Sequence, residues 1–253
     1  MSVFGKVYSS VYDSLYGTKD YARECDMIEM LAGASGSKLI MDIGCGTGGH
    51  AVQLAKRGHR VLGVDRSPAM LEIAQQKAVE AGVIDAIEFL QGDLRNIVSD
   101  KICDLALMMF AVLGYQQSNE DVRNALNSVA RHLKSGAPFI FDVWYGPAVL
   151  ADPPGARQRV IETDSGRIVR TTESQMMPDS RLCTVNFTLE HFEGDVCTKK
   201  TSESHVMRYF FPNELEAFAA EAGFVCERMS NFAAIDQPAN EDSWNAIILF
   251  RKQ

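Results

Sequence analysis

The first two-thirds of the chain alternates short apolar runs with segments whose apolar residues recur at helical spacing. The apolar runs predict strands at residues 38–43, 60–65, 87–90, 103–109 and 138–143. The segments between them predict helices at 49–57, from the cap at Ser67 to Gly82, and from Ser118 to about Gly136. This alternation predicts an α/β fold built on a doubly wound, mostly parallel sheet with helices on both faces.

The pattern changes after residue 150. Short turns rich in glycine, proline and aspartate separate four strand-like segments, with no helical segment between them. These segments are 159–163, 167–175, 182–192 and 202–210. A helix at 213–222 and strands at 224–230 and 245–251 then resume the first pattern, for a sheet of seven strands in total.

These changes divide the chain into four parts. We predict an N-terminal helical cap over 1–36, an α/β core over 37–150, a small antiparallel β insert serving as a substrate lid over 151–207, and completion of the core by the last helix and two strands over 208–253.

Composition narrows the class of protein. Apolar residues make up 46% of the chain and charged residues 23%, as in ordinary globular domains. The longest strongly apolar run, residues 105–113, is too short to cross a bilayer, and the N-terminus shows no signal-peptide pattern. The net charge of −8 argues against a nucleic-acid partner. Six widely spaced cysteines without a C-x-x-C pair predict reduced thiols in a cytoplasmic protein, and no residue cluster indicates a metal site.

The strongest chemical signal is LIMDIGCGTGGH, residues 39–50. Gly44 and Gly46 allow a sharp turn and close approach of a ligand after the first strand, at the sheet edge where ligands bind. Together with Gly49 they also spell the G-x-G-x-x-G pattern of dinucleotide-binding proteins. Asp42 favours a ligand with a cationic end, because a carboxylate attracts an ammonium group and repels a pyrophosphate.

The wider string resembles motif I of class I methyltransferases, D-x-G-x-G-x-G, with Asp42, Gly44, Gly46 and Gly48 in register. The resemblance implies the Rossmann-like methyltransferase fold, with S-adenosylmethionine (SAM) as cofactor and Asp42 near its methionine ammonium. The further residues that we expect to bind SAM are Tyr21, Cys45, Asp65, Arg66, Met70, Asp93, Leu94 and Phe110.

Acidic residues follow the second and third predicted strands. Asp65 can accept hydrogen bonds from two ribose hydroxyls, a device that nicotinamide enzymes share. The resemblance implies that Asp93 and the backbone amide of Leu94 hold the adenine, and that residues 110–115 border the activated methyl group.

The whole chain resembles sugar N,N-dimethyltransferases that act on nucleotide-linked deoxyamino sugars, such as those making desosamine and mycaminose, and methyltransferases encoded with surface-polysaccharide synthesis. The matching strings are VYDSLYGTKDYARE, MMFAVLGYQQ, DVWYGP and ESHVMRYF. The resemblance implies an amine acceptor on a sugar nucleotide, with Tyr12 beside the transferring methyl and Tyr21 at the methionine portion of SAM. Tyr115 stands where one relative has histidine, and Asp142-Val143-Trp144 replaces a Glu-Pro-Trp stretch.

Tyr12 and Tyr115 are the candidate catalytic residues, since either could orient an amine and take up its proton. The candidates for acceptor contact are Trp144, Tyr145, His205 and Arg208, the last through a substrate diphosphate. The N-terminal tyrosines could instead pack an amphipathic helix onto the sheet.

Other functions remain open on the sequence alone. An O-methyltransferase acting on a sugar or another small metabolite would need a stronger base, for which His205 and Asp142 are candidates. A NAD(P)-dependent oxidoreductase and a non-catalytic SAM-binding protein are further alternatives. We expect a small-molecule substrate, no membrane partner and a homodimer.

Overall fold

The computed structural model describes residues 19–33, 36–163 and 166–253. The α-helices in these ranges are α1 (Tyr21–Ala32), α2 (Gly49–Lys56), α3 (Pro68–Glu80), α4 (Asn119–Arg131), α5 (Gly146–Ala151) and α6 (Pro212–Glu221). The strands are β1 (Leu39–Ile43), β2 (Arg60–Asp65), β3 (Ile87–Gln91), β4 (Leu105–Met108), β5 (Pro138–Trp144), β6 (Arg157–Thr163), β7 (Gly166–Met177), β8 (Leu182–Glu193), β9 (Val196–Arg208), β10 (Phe224–Asn231), β11 (Ala234–Pro238) and β12 (Asn245–Lys252).

The main sheet has the order β11-β10-β12-β5-β4-β1-β2-β3. Strands β1 to β5 pair in parallel, and β12 lies antiparallel between β5 and β10. The predicted doubly wound, mostly parallel fold is confirmed. The described residues form eight strands in this sheet rather than the predicted seven, because Ala234–Pro238 pairs with β10 as a short edge strand. The last part of the chain therefore contributes one helix and three strands.

Helices cover both faces of this sheet. Met41 and Ile43 of β1 pack into a cluster with α4 and α6, whereas Ile40 packs into a second cluster with α1, α2 and α3. Successive side chains of a strand point to opposite faces, so one strand supplies both layers. None of the helices in the described ranges has the length and apolar content needed to cross a membrane.

The insert forms a separate antiparallel sheet in the order β6-β7-β8-β9. Its last strand begins at Val196, six residues before the predicted start, because the polar segment TKKTSES pairs with β8 although it lacks apolar alternation. The two connections of the insert to the core run side by side. The N–H of Phe210 donates to the carbonyl of Trp144 at 2.9 Å, and that of Gly146 donates to the carbonyl of Phe210 at 2.7 Å.

Candidate active site

A cavity of about 530 Å³ lies at the carboxyl ends of β1, β2, β4 and β5, with β8 and β9 of the insert forming one of its walls. This is the edge of an open α/β sheet where ligands bind. The cavity brings together most of the residues predicted from the sequence. They are Gly44, Gly46, Asp65, Arg66, Met70, Asp93, Leu94, Phe110, Tyr115, Trp144 and His205.

The glycine loop forms the floor of the cavity. The backbone N–H groups of Gly44 and Cys45 both donate to the carbonyl of Val64, which fixes the loop against β2. A Cβ on Gly44 would lie 2.7 Å from the side chain of Val112, whereas one on Gly46 would meet no atom within 4 Å. The loop thus leaves open space above Gly46, as a ligand lying against the backbone requires.

Gly48 and Cys45 support this loop from below rather than lining the cavity. Gly48 has a φ of +78° at the start of α2, and a Cβ there would lie 3.0 Å from Ala74. Cys45 is buried, and burial raises the pKa of its thiol well above the ordinary range. Both residues therefore have packing roles in the structure, and contact of either with SAM stays a prediction.

Asp65 is held at the end of β2 by two backbone donors. Its Oδ2 accepts from the N–H of Gly46 at 2.9 Å and its Oδ1 from the N–H of Ser67 at 2.8 Å. A carboxylate oxygen has two lone pairs, so each oxygen keeps one for a ribose hydroxyl. Burial raises the pKa of Asp65 in spite of these hydrogen bonds.

Asp93 is engaged by a residue that the sequence analysis did not single out. Its Oδ1 accepts from Nε and the backbone N–H of Arg95, both at 2.9 Å, and its Oδ2 accepts from Nη2 at 2.7 Å. Arg95 also donates to Asp121 at 2.8 Å, and its hydrogen bonds lower the pKa of Asp93. One lone pair on Oδ2 remains for an adenine amino group. The i, i+2 spacing of the two charges was the only local signal for this pair.

Asp42 lies fully buried beneath the loop, outside the cavity wall. Its Oδ2 has no hydrogen-bond partner among the described residues, and burial raises its pKa to about 6. A buried carboxylate with an unsatisfied oxygen is stabilised by a nearby cation. This oxygen, the open space above Gly46 and the two lone pairs of Asp65 are the features that fit SAM to the site.

A second wall is formed by the residues that follow β4. Phe110 and Ala111 have φ values of +77° and +53°, the left-handed region that residues with a side chain rarely adopt. Asp142 of β5 supports this turn, because its buried Oδ1 accepts from the N–H of Ala111 at 3.0 Å. Burial raises the pKa of Asp142 to about 6. Strained backbone next to a cavity is typical of binding sites.

The insert supplies the third wall through alternate residues of β8 and β9. Val185, Phe187, His205 and Met207 line the cavity. The hydroxyl of Tyr115 lies 2.7 Å from Nδ1 of His205, which joins the core to the insert. Tyr115 and His205 were separate predictions from the sequence, and the structure brings them into contact.

Trp144, Tyr145 and Arg208 have different positions from one another. Trp144 lines the cavity and packs on Trp244, with ring centroids 4.9 Å apart. Tyr145 is predicted from the sequence to contact the acceptor, but it is 6% exposed and lies outside the cavity wall. Arg208 is 3% exposed, donates to Glu214 of α6 at 2.9 Å and also lies outside the wall. The structure therefore does not place Arg208 for a substrate diphosphate.

Of the two N-terminal tyrosines predicted to lie at the site, the structure describes Tyr21 but not Tyr12. The ring of Tyr21 packs against Gly49 and edge-on to His50 at 5.0 Å, at the start of α2 and outside the cavity wall. Tyr21 thus packs against α2, and its contact with the methionine portion of SAM stays a prediction. Tyr12 lies outside the described residues, so its role stays a prediction.

Comparison with known proteins agrees with this geometry. Residues 40–136 match the family model described as a methyltransferase domain. The chain is 27% identical over 224 residues to dTDP-3-amino-3,4,6-trideoxy-alpha-D-glucopyranose N,N-dimethyltransferase of Streptomyces venezuelae, covering 87% of this chain and 91% of the relative. It is 23% identical over 231 residues to dTDP-4-amino-2,3,4,6-tetradeoxy-D-glucose N,N-dimethyltransferase of Saccharopolyspora spinosa, covering 89% and 88%.

Solved structures show the same fold over nearly the whole chain. An S-adenosylmethionine-dependent methyltransferase from Clostridium acetobutylicum superposes with a TM-score of 0.82 at 20% identity, covering 97% of each chain. The sugar N-methyltransferase KedS8 from Streptoalloteichus superposes with a TM-score of 0.75 at 22% identity, covering 100% of this chain and 97% of the other. The fold and the domain define the class: a SAM-dependent methyltransferase with the Rossmann-like fold predicted from motif I.

Proposed function

We propose that the protein transfers a methyl group from SAM to the amine of a nucleotide-linked amino sugar. The observation that carries the proposal is a single cavity lined by residues of both the core and the insert. The glycine loop, Asp65 and Tyr115 belong to the core, and His205, which is hydrogen-bonded to Tyr115, belongs to the insert. The two relatives matched over 87% and 89% of this chain, a span that includes the insert, are named for amines on nucleotide-linked sugars.

Different residues of the cavity are proposed to bind different parts of SAM, the methyl donor. The open space above Gly46 would admit the ligand, Asp65 would accept hydrogen bonds from the ribose, and Asp93 with the amide of Leu94 would hold the adenine. The carboxylate of Asp42 favours the ammonium end electrostatically. When bound, SAM supplies an electrophilic methyl carbon on a positively charged sulfur.

The acceptor side must position an amine and remove a proton from it. An alkyl ammonium has no lone pair, so it becomes a nucleophile only after deprotonation. In this proposal Tyr115 receives the proton, and the hydrogen bond between its hydroxyl and His205 supports this role. Phe110, Val185 and Met207 give the cavity apolar surface that excludes water. Holding the amine in line with the methyl group can lower the barrier by roughly 7–11 kcal/mol in favourable cases.

A second candidate function is O-methylation of a sugar or another small metabolite. It is favoured by two groups in the cavity wall that can act as bases, His205 and the buried carboxylate of Asp142. Hydroxyl acceptors need such a base because their oxygen is a weak nucleophile until it loses its proton.

Turnover on paired acceptors tests the proposal. The purified protein is given SAM with amino-sugar nucleotides and with the matching sugar nucleotides that carry a hydroxyl at the same carbon. We expect S-adenosylhomocysteine (SAH) release and the mass of one or two added methyl groups on the amino sugars only. Methylation of the hydroxyl sugars alone would favour O-methylation, and binding of NADH in preference to SAM would overturn both.

Three predictions from the sequence accompany this function. We infer a cytoplasmic location from the widely spaced cysteines and the absence of a nucleic-acid partner from the net charge of −8, and we also expect a homodimer. Each can be checked on the purified protein or in cell fractions.

A further inference from the structure

The His205 side chain has a second hydrogen-bond partner besides Tyr115. Its Nε2 lies 3.2 Å from Oε2 of Glu203, two residues earlier on β9 and therefore on the same face of the strand. The His205 side chain is 3% exposed and that of Glu203 16%. Tyr115, His205 and Glu203 thus form a continuous chain from the cavity wall into the insert.

Hydrogen-bonding capacity fixes the direction of this chain. A carboxylate only accepts, so Nε2 of His205 carries a hydrogen and donates it to Glu203. In the neutral ring Nδ1 then carries a lone pair, which accepts from the hydroxyl of Tyr115. In the opposite tautomer Nε2 would carry no hydrogen, so its lone pair would face the carboxylate of Glu203. Nδ1 would then carry a hydrogen, which would compete with the hydroxyl hydrogen of Tyr115 for the space between them.

We propose that Glu203 is a positioning residue for methyl transfer, which holds His205 in the tautomer that can take a proton from Tyr115. This inference rests on the proposed function with an amine acceptor. An N–H bond of the acceptor ammonium breaks, its electron pair stays on the nitrogen, and the proton binds Oη of Tyr115. The former hydroxyl proton of Tyr115 binds Nδ1 of His205. One positive charge thereby moves from the acceptor to the imidazole ring, beside the carboxylate of Glu203.

A graded series at position 203 tests the role by kinetics. Glu203→Leu removes the acceptor group, whereas Glu203→Gln keeps an oxygen that can accept from Nε2 but removes the charge. We expect kcat to fall about 10- to 100-fold in Glu203→Leu and less in Glu203→Gln, because Glu203 only orients the proton acceptor and the acid–base group itself contributes roughly 100- to 10,000-fold. The acceptor KM and the Kd for SAH should stay near the wild-type values. Glu173→Leu, at an exposed position on β7 of the same sheet, is the matched control with unchanged kcat.

Nitrogen-15 NMR of the imidazole ring gives a readout that packing alone would not move. The His205 signal is assigned by its loss in His205→Asn. We expect the Nε2–H tautomer in the wild type and in Glu203→Gln, and a mixture or the Nδ1–H form in Glu203→Leu. An unchanged tautomer or a wild-type kcat in Glu203→Leu would overturn the proposal.

The NMR experiment needs no acceptor, so it separates the two proposals. A wild-type enzyme that methylates no amine contradicts the proposed function, whereas the tautomer of His205 in the two variants decides the role of Glu203 independently.

Discussion

Oδ1 of Asp142 accepts a hydrogen bond of 3.0 Å from the backbone N–H of Ala111, the second of two consecutive residues with left-handed backbone. Such conformations cost on the order of 1–3 kcal/mol each in residues with a side chain. The carboxylate of Asp142 therefore stabilises a strained turn at the cavity wall. Burial makes its ionised form unfavourable and raises its pKa from 3.8 to about 6.

The raised pKa predicts a pH dependence of folding stability. An acid whose pKa is higher in the folded state stabilises the fold fully below its unfolded pKa, and this contribution is lost as the pH rises through about 6. The loss is at most roughly 3 kcal/mol for a shift of this size. Asp142→Asn keeps the acceptor for Ala111 but does not titrate, so its free energy of unfolding should fall less between pH 4 and pH 7. Urea unfolding across this range measures it, and parallel curves for the two proteins would contradict the assignment.

The open space above Gly46 predicts a selective loss of SAM affinity. In Gly46→Ala the new methyl group enters the cavity, so we expect SAM to bind at least about tenfold more weakly. Gly58→Ala is the matched control, because Gly58 also has a positive φ and a Cβ there would meet no atom within 4 Å, but it lies away from the cavity. Both variants should lose about 1 kcal/mol of stability from the left-handed backbone. Calorimetry should show weak SAM binding in the first variant only; equal affinities would mean that the loop does not contact the ligand.

The two remaining lone pairs of Asp65 predict a graded effect on the cofactor. Asp65→Asn keeps one oxygen and should weaken SAM binding, whereas Asp65→Ala should abolish it and also release the N–H groups of Gly46 and Ser67. Losing these buried hydrogen bonds should lower stability by about 1–3 kcal/mol. Titration with SAM, SAH and NADH, next to thermal unfolding, checks both effects. Normal SAM affinity in folded Asp65→Ala would remove Asp65 from the site.

The contact between Tyr115 and His205 predicts a loss of rate without loss of cofactor binding. Tyr115→Phe removes the hydroxyl that reaches His205, so kcat should fall at least about tenfold while the Kd for SAH changes little. Tyr209→Phe, at a buried tyrosine outside the cavity wall, is the control. We expect the same separation of turnover from SAM affinity in Tyr12→Phe, and an unchanged rate there would reduce Tyr12 to a packing residue.

The parts of the fold predicted correctly from the sequence are those with local signals. The strand β2 begins and ends at the predicted residues because apolar residues lie between two turns, and Ser67 caps α3 as expected. Local signals also explain why Gly44, Gly46 and Asp65, which lie at or just after the ends of β1 and β2, line the cavity, and binding of SAM by these residues stays a prediction.

The features that the sequence did not reveal depend on interactions between distant segments. The first half of β9 is mostly polar and β11 has only five residues, and both become strands through pairing with β8 and β10. Arg208 is a charged residue near the end of the insert, and nothing local shows that Glu214 on α6 binds it away from the cavity. The proposed role of Glu203 is equally hidden in the sequence, because it depends on the contact of His205 with Tyr115, 90 positions away.

The paired backbone hydrogen bonds between Trp144, Gly146 and Phe210 clasp the insert where it leaves and rejoins the core. The insert between these connections can therefore be exchanged as a unit while the α/β core stays the same. We expect that grafting the corresponding segment of another methyltransferase between these connections would leave the predicted SAM-binding residues in place and would transfer the acceptor specificity of that enzyme. Acceptor specificity can then diversify among enzymes with this fold by replacement of the insert alone.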